Sequence, residues 1–209
     1  MKIATETLLL LVSGYVLSIL LFPAQAVAYV AHGSEDKIAT ELPVESVSDS
    51  ASKLYSEGKA TWLWLDVYQA KLFTSEAIFN DLKMAKRTGN NIVQETFLAD
   101  KTPINLQLCY QQEISAEQII EAAQEGLPDD MALEVENVVS KLHDSYQSVK
   151  PDDCYELIHN QNGETILRFN KKEVFRTTLP GFKKIYYGIW IGERALSKSL
   201  KKSLLKEIS

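Results

Sequence analysis

The sequence predicts an α+β fold, on three observations. Apolar and polar residues alternate along Ile104–Gln111, a helical apolar spacing opens at a capping-box sequence beginning at Ser115, and short strand-like runs separated by turn residues follow from Tyr155 to Thr178. The chain has 209 residues, 45% hydrophobic and 24% charged, the composition of a globular domain. It divides into a signal segment (1–28), a flexible segment with an edge strand (29–52) and one folded domain (53–209).

At the N-terminus, Leu8–Phe22 is an apolar run preceded by Lys2 and followed by Pro23-Ala24-Gln25-Ala26. That is the layout of a signal peptide cut after Ala26 or after Ala28, with an uncleaved membrane anchor as the alternative. Export to a bacterial periplasm is the expectation, and membrane contact is expected only through this segment before cleavage. About 180 residues remain, enough to bury roughly 70% of the surface of the unfolded chain.

Ala31–Ser52 is polar, with Leu42-Pro43-Val44 as a short edge strand. Ala60–Phe73 is apolar on both parities and reads as a long strand, or a bent strand pair, lying centrally in a sheet. In that setting Trp62, Trp64 and Trp190 are expected in the core. Between Thr74 and Asp100 the pattern gives short pieces around an exposed loop at Lys86–Asn91.

Ser115-Ala116-Glu117-Gln118 predicts a helix to about Gly126, and Pro128-Asp129-Asp130 a second one running to about Gln147. Strands at Tyr155–His159, Thr165–Phe169 and Val174–Thr178 are joined by Asn162-Gly163 and by Asn170–Lys172. Two short helices close the chain. The last carries Leu196, Leu200, Leu204 and Leu205 beside Lys198, Lys201, Lys202 and Lys206, an apolar stripe with a basic edge that predicts a core-packing helix.

A net charge of −6 and a pI near 5.2 argue against a nucleic-acid surface, which needs clustered cations. His32, His143 and His159 have no metal-ligand spacing, and no phosphate-binding loop or catalytic triad is present, so neither metal nor cofactor is expected. Cys109 and Cys154, the only cysteines, lie in strand-like segments. Whether they pair is open, with two buried thiols the favoured reading.

The motif Asp66-Val67-Tyr68-Gln69-Ala70-Lys71-Leu72-Phe73, the strand Leu106–Tyr110 followed by Ile114-Ser115-Ala116-Glu117, and above all Tyr186-Tyr187-Gly188-Ile189-Trp190-Ile191-Gly192 resemble the chalcone isomerase family, in particular its exported bacterial branch. The resemblance runs from about Leu54 to Leu205. It implies an open-faced β-sandwich, an antiparallel sheet with helices on one face and a cleft between them. In the plant enzymes the cleft cyclises chalcones with an Arg, a Thr, a Tyr and an Asn; other branches bind fatty acids through a basic residue and a Tyr.

By motif, the Thr, Tyr and Asn of the enzymes fall near Leu63, Ile114 and Glu121, and only Lys53 or Lys59 is available for the Arg. All four roles look vacant, so flavonoid isomerase activity is not expected. The expectation is a small apolar or fatty-acid-like carboxylate ligand, with Tyr68, Lys71, Tyr110, Arg168 and Arg176 as candidate contacts, although Tyr68 as core and Lys71 as surface is the plainer reading. An isomerase or lyase of other specificity, and a structural or partner-binding protein with a filled cleft, are the alternatives.

Overall fold

Six strands pair antiparallel in simple chain order. The computed structural model of the protein describes residues 51–87 and 92–206. The signal-like segment and the Leu42-Pro43-Val44 strand lie outside the described residues. Strands β1 (Lys53–Trp62) and β2 (Leu65–Thr74) form a hairpin, followed by helices α1 (Glu76–Arg87) and α2 (Val93–Leu98). Strand β3 (Ile104–Tyr110) leads into α3 (Ala116–Gly126) and α4 (Leu133–His143). The meander β4 (Cys154–His159), β5 (Thr165–Phe169), β6 (Lys172–Thr177) and the helices α5 (Phe182–Ile191) and α6 (Lys198–Leu204) complete the domain.

The α+β expectation holds, with an antiparallel sheet and helices packed on one of its faces. Strand period explains which face. Tyr68, Ala70 and Leu72 of β2 lie opposite Tyr110, Leu108 and Leu106 of β3, and the latter two oppose Tyr155 and Leu157 of β4. All point under the helices, because side chains two apart share a face. The other face receives Gln69, Lys71, Gln107, Glu156, Arg168 and Arg176.

Several expectations are corrected. Of the two readings of Ala60–Phe73 the strand pair holds, as the end of β1 and most of β2 joined by a two-residue turn at Leu63-Trp64, but β1 is the sheet edge and not a central strand. Trp62 and Trp64 are therefore 69% and 81% exposed rather than core. Helix α4 starts at Leu133, because Pro128-Asp129-Asp130 forms a turn, the conformation that short acidic side chains favour. It ends at His143, where Ser145 Oγ donates to the Leu142 carbonyl (2.6 Å).

The Asn162-Gly163 hairpin is present, but Asn160 and Glu164 close a three-residue loop with Gly163 at φ +89°. That is the left-handed position for which glycine has no steric penalty. Asn170 and Lys171, both at positive φ, make the two-residue turn between Phe169 and Lys172.

The predicted capping box is present: Ser115 Oγ accepts from the Gln118 amide and Gln118 Oε1 accepts from the Ser115 amide. Leu200 and Leu204 of α6 are buried as predicted. The helix rests so closely on β1 that a Cβ on Gly58 would sit 2.7 Å from Ser203 Cβ.

The two cysteines are bonded to each other. Cys109 and Cys154 stand directly opposite on β3 and β4 with Cα atoms 4.1 Å apart, so the favoured reading of two free thiols is overturned. Pairing register, which spacing in sequence does not disclose, decides the matter.

Candidate functional site: a tyrosine-lined apolar cleft

Helix α5 is the structural pivot of the site. Its residues Phe182, Tyr186, Tyr187, Ile189, Trp190 and Ile191 are all buried, so the helix lies between the sheet and the other helices. Two side chains fix its position. Tyr187 donates its hydroxyl to the Leu157 carbonyl on the sheet (2.7 Å), and Lys183 Nζ donates to the carbonyls of Ala99 and Thr102, each at 2.6 Å.

Between the sheet, α3 and α5 lies a cavity of about 140 Å³. Leu108, Leu157, Leu167, Ile119, Ala123 and Ile189 supply much of its apolar wall. Gln118, Ala122 and Leu196, all exposed, mark its rim. Polar side chains line the cavity or lie beside it. Trp190 Nε1 donates to the Tyr68 hydroxyl (3.1 Å), Tyr146 and Tyr186 share a hydroxyl–hydroxyl bond (3.0 Å), and the Tyr155 hydroxyl accepts from the Gln147 amide (2.7 Å) and donates to its carbonyl (3.1 Å).

The Tyr110 hydroxyl has no hydrogen-bond partner among the described residues, and the Tyr68 hydroxyl, although it accepts from Trp190, donates to none of them. Their rings are 5.5 Å apart, centroid to centroid. Both residues line the same largely apolar space.

Burial pushes the Tyr68 hydroxyl up to about 12, only partly offset by the Trp190 hydrogen bond. Burial raises Tyr110 well above its ordinary value too, and the neighbouring Tyr146, Tyr68 and Tyr155 oxygens add to the shift. Burial likewise raises Tyr155. These groups stay protonated at any physiological pH and act as donors.

Of the five candidate contacts, Tyr68 and Tyr110 line the cavity. Lys71 sits on the opposite face of the sheet, facing Glu57 and Gln107 across its neighbouring strands. Arg168 is on that same face, opposite Glu156 and Glu173. Arg176 is engaged there by Glu164 (2.7 Å) and Glu173 (2.7 Å). The three cations therefore do not meet the two tyrosines.

Among the described lining residues there is no Lys, Arg, His, Asp or Glu. Sequence reasoning did not single out Tyr146, Tyr155 or Ile114 as lining. Tyr146 falls at the end of the helix predicted to run to about Gln147, and nothing local places it over the sheet.

The residues that the resemblance sets against the isomerase roles do not converge on the cavity. Leu63 is at the exposed hairpin tip, Glu121 is exposed, Lys59 pairs with Asp66 (2.6 Å) and Lys53 with Glu76 (3.2 Å). Only Ile114 reaches the cavity, as an apolar wall.

A helix-covered antiparallel sheet with an apolar cleft beneath its central helix defines an open-faced β-sandwich with an internal cavity. The chain belongs to the chalcone isomerase-like family, whose sequence model matches residues 45–206. Its fold is similar to the crystal structure of a fatty-acid binding protein of Arabidopsis thaliana, with a TM-score of 0.60 and 14% identity, covering 77% of this chain and 89% of that one. No curated protein matches the chain by sequence.

Proposed function

We propose that this protein is an exported binder of a small apolar ligand whose polar end is an uncharged hydrogen-bond acceptor, and that it does not isomerise flavonoids. The observation that carries the reading is the pair of unspent donors, Tyr68 and Tyr110, lining a largely apolar cavity. A ligand carbonyl would accept from both hydroxyls, while its hydrocarbon part would displace nothing but contact with Leu108, Leu157 and Ile189.

Charge and size narrow the ligand. A carboxylate taken into this space would lose its hydration with no cation to replace it, a penalty of several kcal/mol. A cavity of about 140 Å³ suits a single ring or a short chain segment, whereas drug-sized ligands occupy roughly 300 Å³ or more. The fatty-acid binding neighbour supports a small apolar ligand in the same fold, and the absence of a cation among the described lining residues favours a neutral end group for this one.

Catalysis by proton transfer would need a base within reach of the bound carbonyl, and the lining among the described residues offers none. The domain is assigned to residues 53–209, preceded by a signal segment at 1–28. The Cys109–Cys154 bond supports export, since such bonds persist in oxidising compartments such as the periplasm.

The test is calorimetric titration of the purified protein with acetophenone, with benzoate as a charged partner of the same size. Acetophenone should bind and benzoate should not, and Tyr110→Phe should weaken acetophenone about three- to tenfold, the worth of one neutral hydrogen bond. Equal binding of the two, or no effect of Tyr110→Phe, would remove the neutral-acceptor reading. Failure of every small apolar probe would remove the binding reading itself.

A further inference from the structure

The tip of the β1–β2 hairpin plays no part in the cleft. It is the sequence Trp62-Leu63-Trp64-Leu65, with side chains 69%, 71%, 81% and 46% exposed. Among the described residues eight large apolar side chains are exposed, and four of them are consecutive at this one point. Scattered exposed apolar residues are ordinary; a contiguous set with two tryptophans marks an interaction site. Leu63 also takes φ +58°, the turn position that glycine would fill without strain, so an apolar side chain stands there against local backbone preference.

We propose that this tip is a membrane anchor that inserts into the interfacial region of a lipid bilayer. Three features favour lipid over a protein partner. Trp62 and Leu65 are cross-strand partners, while Leu63 and Trp64 form the turn beyond them. A flat protein surface would cover one side of such a wedge, whereas a fluid interface surrounds it. The turn peptide groups need hydrogen bonds, which the wet headgroup layer supplies and a dry protein contact would have to match one by one.

Tryptophan, apolar in body with one N–H donor, is enriched at that depth of a bilayer. Lys59, the cation nearest in sequence, is held by Asp66 at 2.6 Å, and the chain carries net charge −6, so the attraction is apolar and does not require anionic lipid. Two residues past the tip Val67, then Tyr68, line the cavity, which places the anchor within one strand's length of the cleft.

The experiment uses the full chain with phosphatidylcholine vesicles, beside a Trp62→Ser/Trp64→Ser variant. Sedimentation alone does not decide, because the apolar run Leu8–Phe22 can itself hold the chain on a vesicle. The readout is the environment of the tip tryptophans. On vesicle addition, emission should shift to the blue, bromine-labelled acyl chains should quench it, and quenching by aqueous iodide should fall about twofold.

The same response is expected at high salt and with added phosphatidylglycerol, and no response in the double variant, where buried Trp190 alone remains. The proposal is overturned if Trp62 and Trp64 stay as accessible to iodide on vesicles as in buffer. It is also overturned if the blue shift appears without lipid as protein concentration rises, since that outcome assigns the tip to a protein contact.

Discussion

Gly188 and Gly192 occupy neighbouring turns of the most specific stretch of the sequence, yet they have different physical duties. A Cβ built on Gly192 would lie 2.6 Å from Gly188 Cα and 2.7 Å from its carbonyl oxygen, atoms of backbone that cannot turn aside. Gly192→Ala should therefore cost about 1–3 kcal/mol, the usual penalty of overpacking, measured by urea unfolding. A Cβ on Gly188 meets nothing within 4 Å. Gly188→Ala in the same experiment should be neutral or stabilise by up to about 1 kcal/mol, because alanine restricts the unfolded chain and favours helix. The motif thus records a helix end folded back against its own preceding turn.

At the scale of elements, the Cys109–Cys154 bond ties β3 to β4 across a loop with 45 residues of separation that contains both α3 and α4. Closing a loop of that size in the unfolded chain is worth about 3–4 kcal/mol on the chain-entropy estimate. Reduction, or Cys109→Ala/Cys154→Ala, should lower the urea midpoint accordingly without altering the far-ultraviolet spectrum of the folded state. The contact of α6 with β1 is the second tie: Ser56 Oγ donates to the Leu204 carbonyl, and Gly58 leaves room for Ser203 and Leu200. By contrast, Arg176 and its two glutamates form an exposed network on the other face, and Arg176→Ala should cost no more than about 1 kcal/mol.

For the molecule as a whole, buried titratable groups set the dependence of stability on pH. Burial holds His143 and His159 below the ordinary 6.5. As pH falls through that value, the unfolded chain takes up protons that the folded chain refuses, so stability should fall with pH there. Burial also brings Lys183 down to about 7 from 10.5. Between those values the unfolded chain binds a proton that the folded chain lacks, so stability should rise with pH across that window and level off beneath it. Thermal unfolding from pH 5 to pH 10 should show both rises, and Lys183→Met should remove the alkaline one.

The elements were largely legible in the sequence because their causes are local. The capping box at Ser115, the alternation of β3 and the turn residues of the meander each act within a few positions, and the Tyr186–Gly192 signature carried the family. Of the five candidate contacts, Tyr68 and Tyr110 line the cleft, while Lys71, Arg168 and Arg176 face away from it. Parity along β2 already separates Tyr68 from Lys71, but it does not say which parity the helices cover.

What the sequence by itself determined was the kind and order of the elements, from hydrophobic period, caps and turn chemistry. What only the tertiary structure decided was which strand positions meet. Register brought Cys109 opposite Cys154, helix packing brought Tyr146 and Trp190 to the same cavity as Tyr68 and Tyr110, and the hairpin turn left Trp62 and Trp64 exposed in place of the core. The reason is that period is a property of neighbouring residues, whereas pairing and burial depend on contacts between segments far apart in the chain, which only the packed sheet and helices specify.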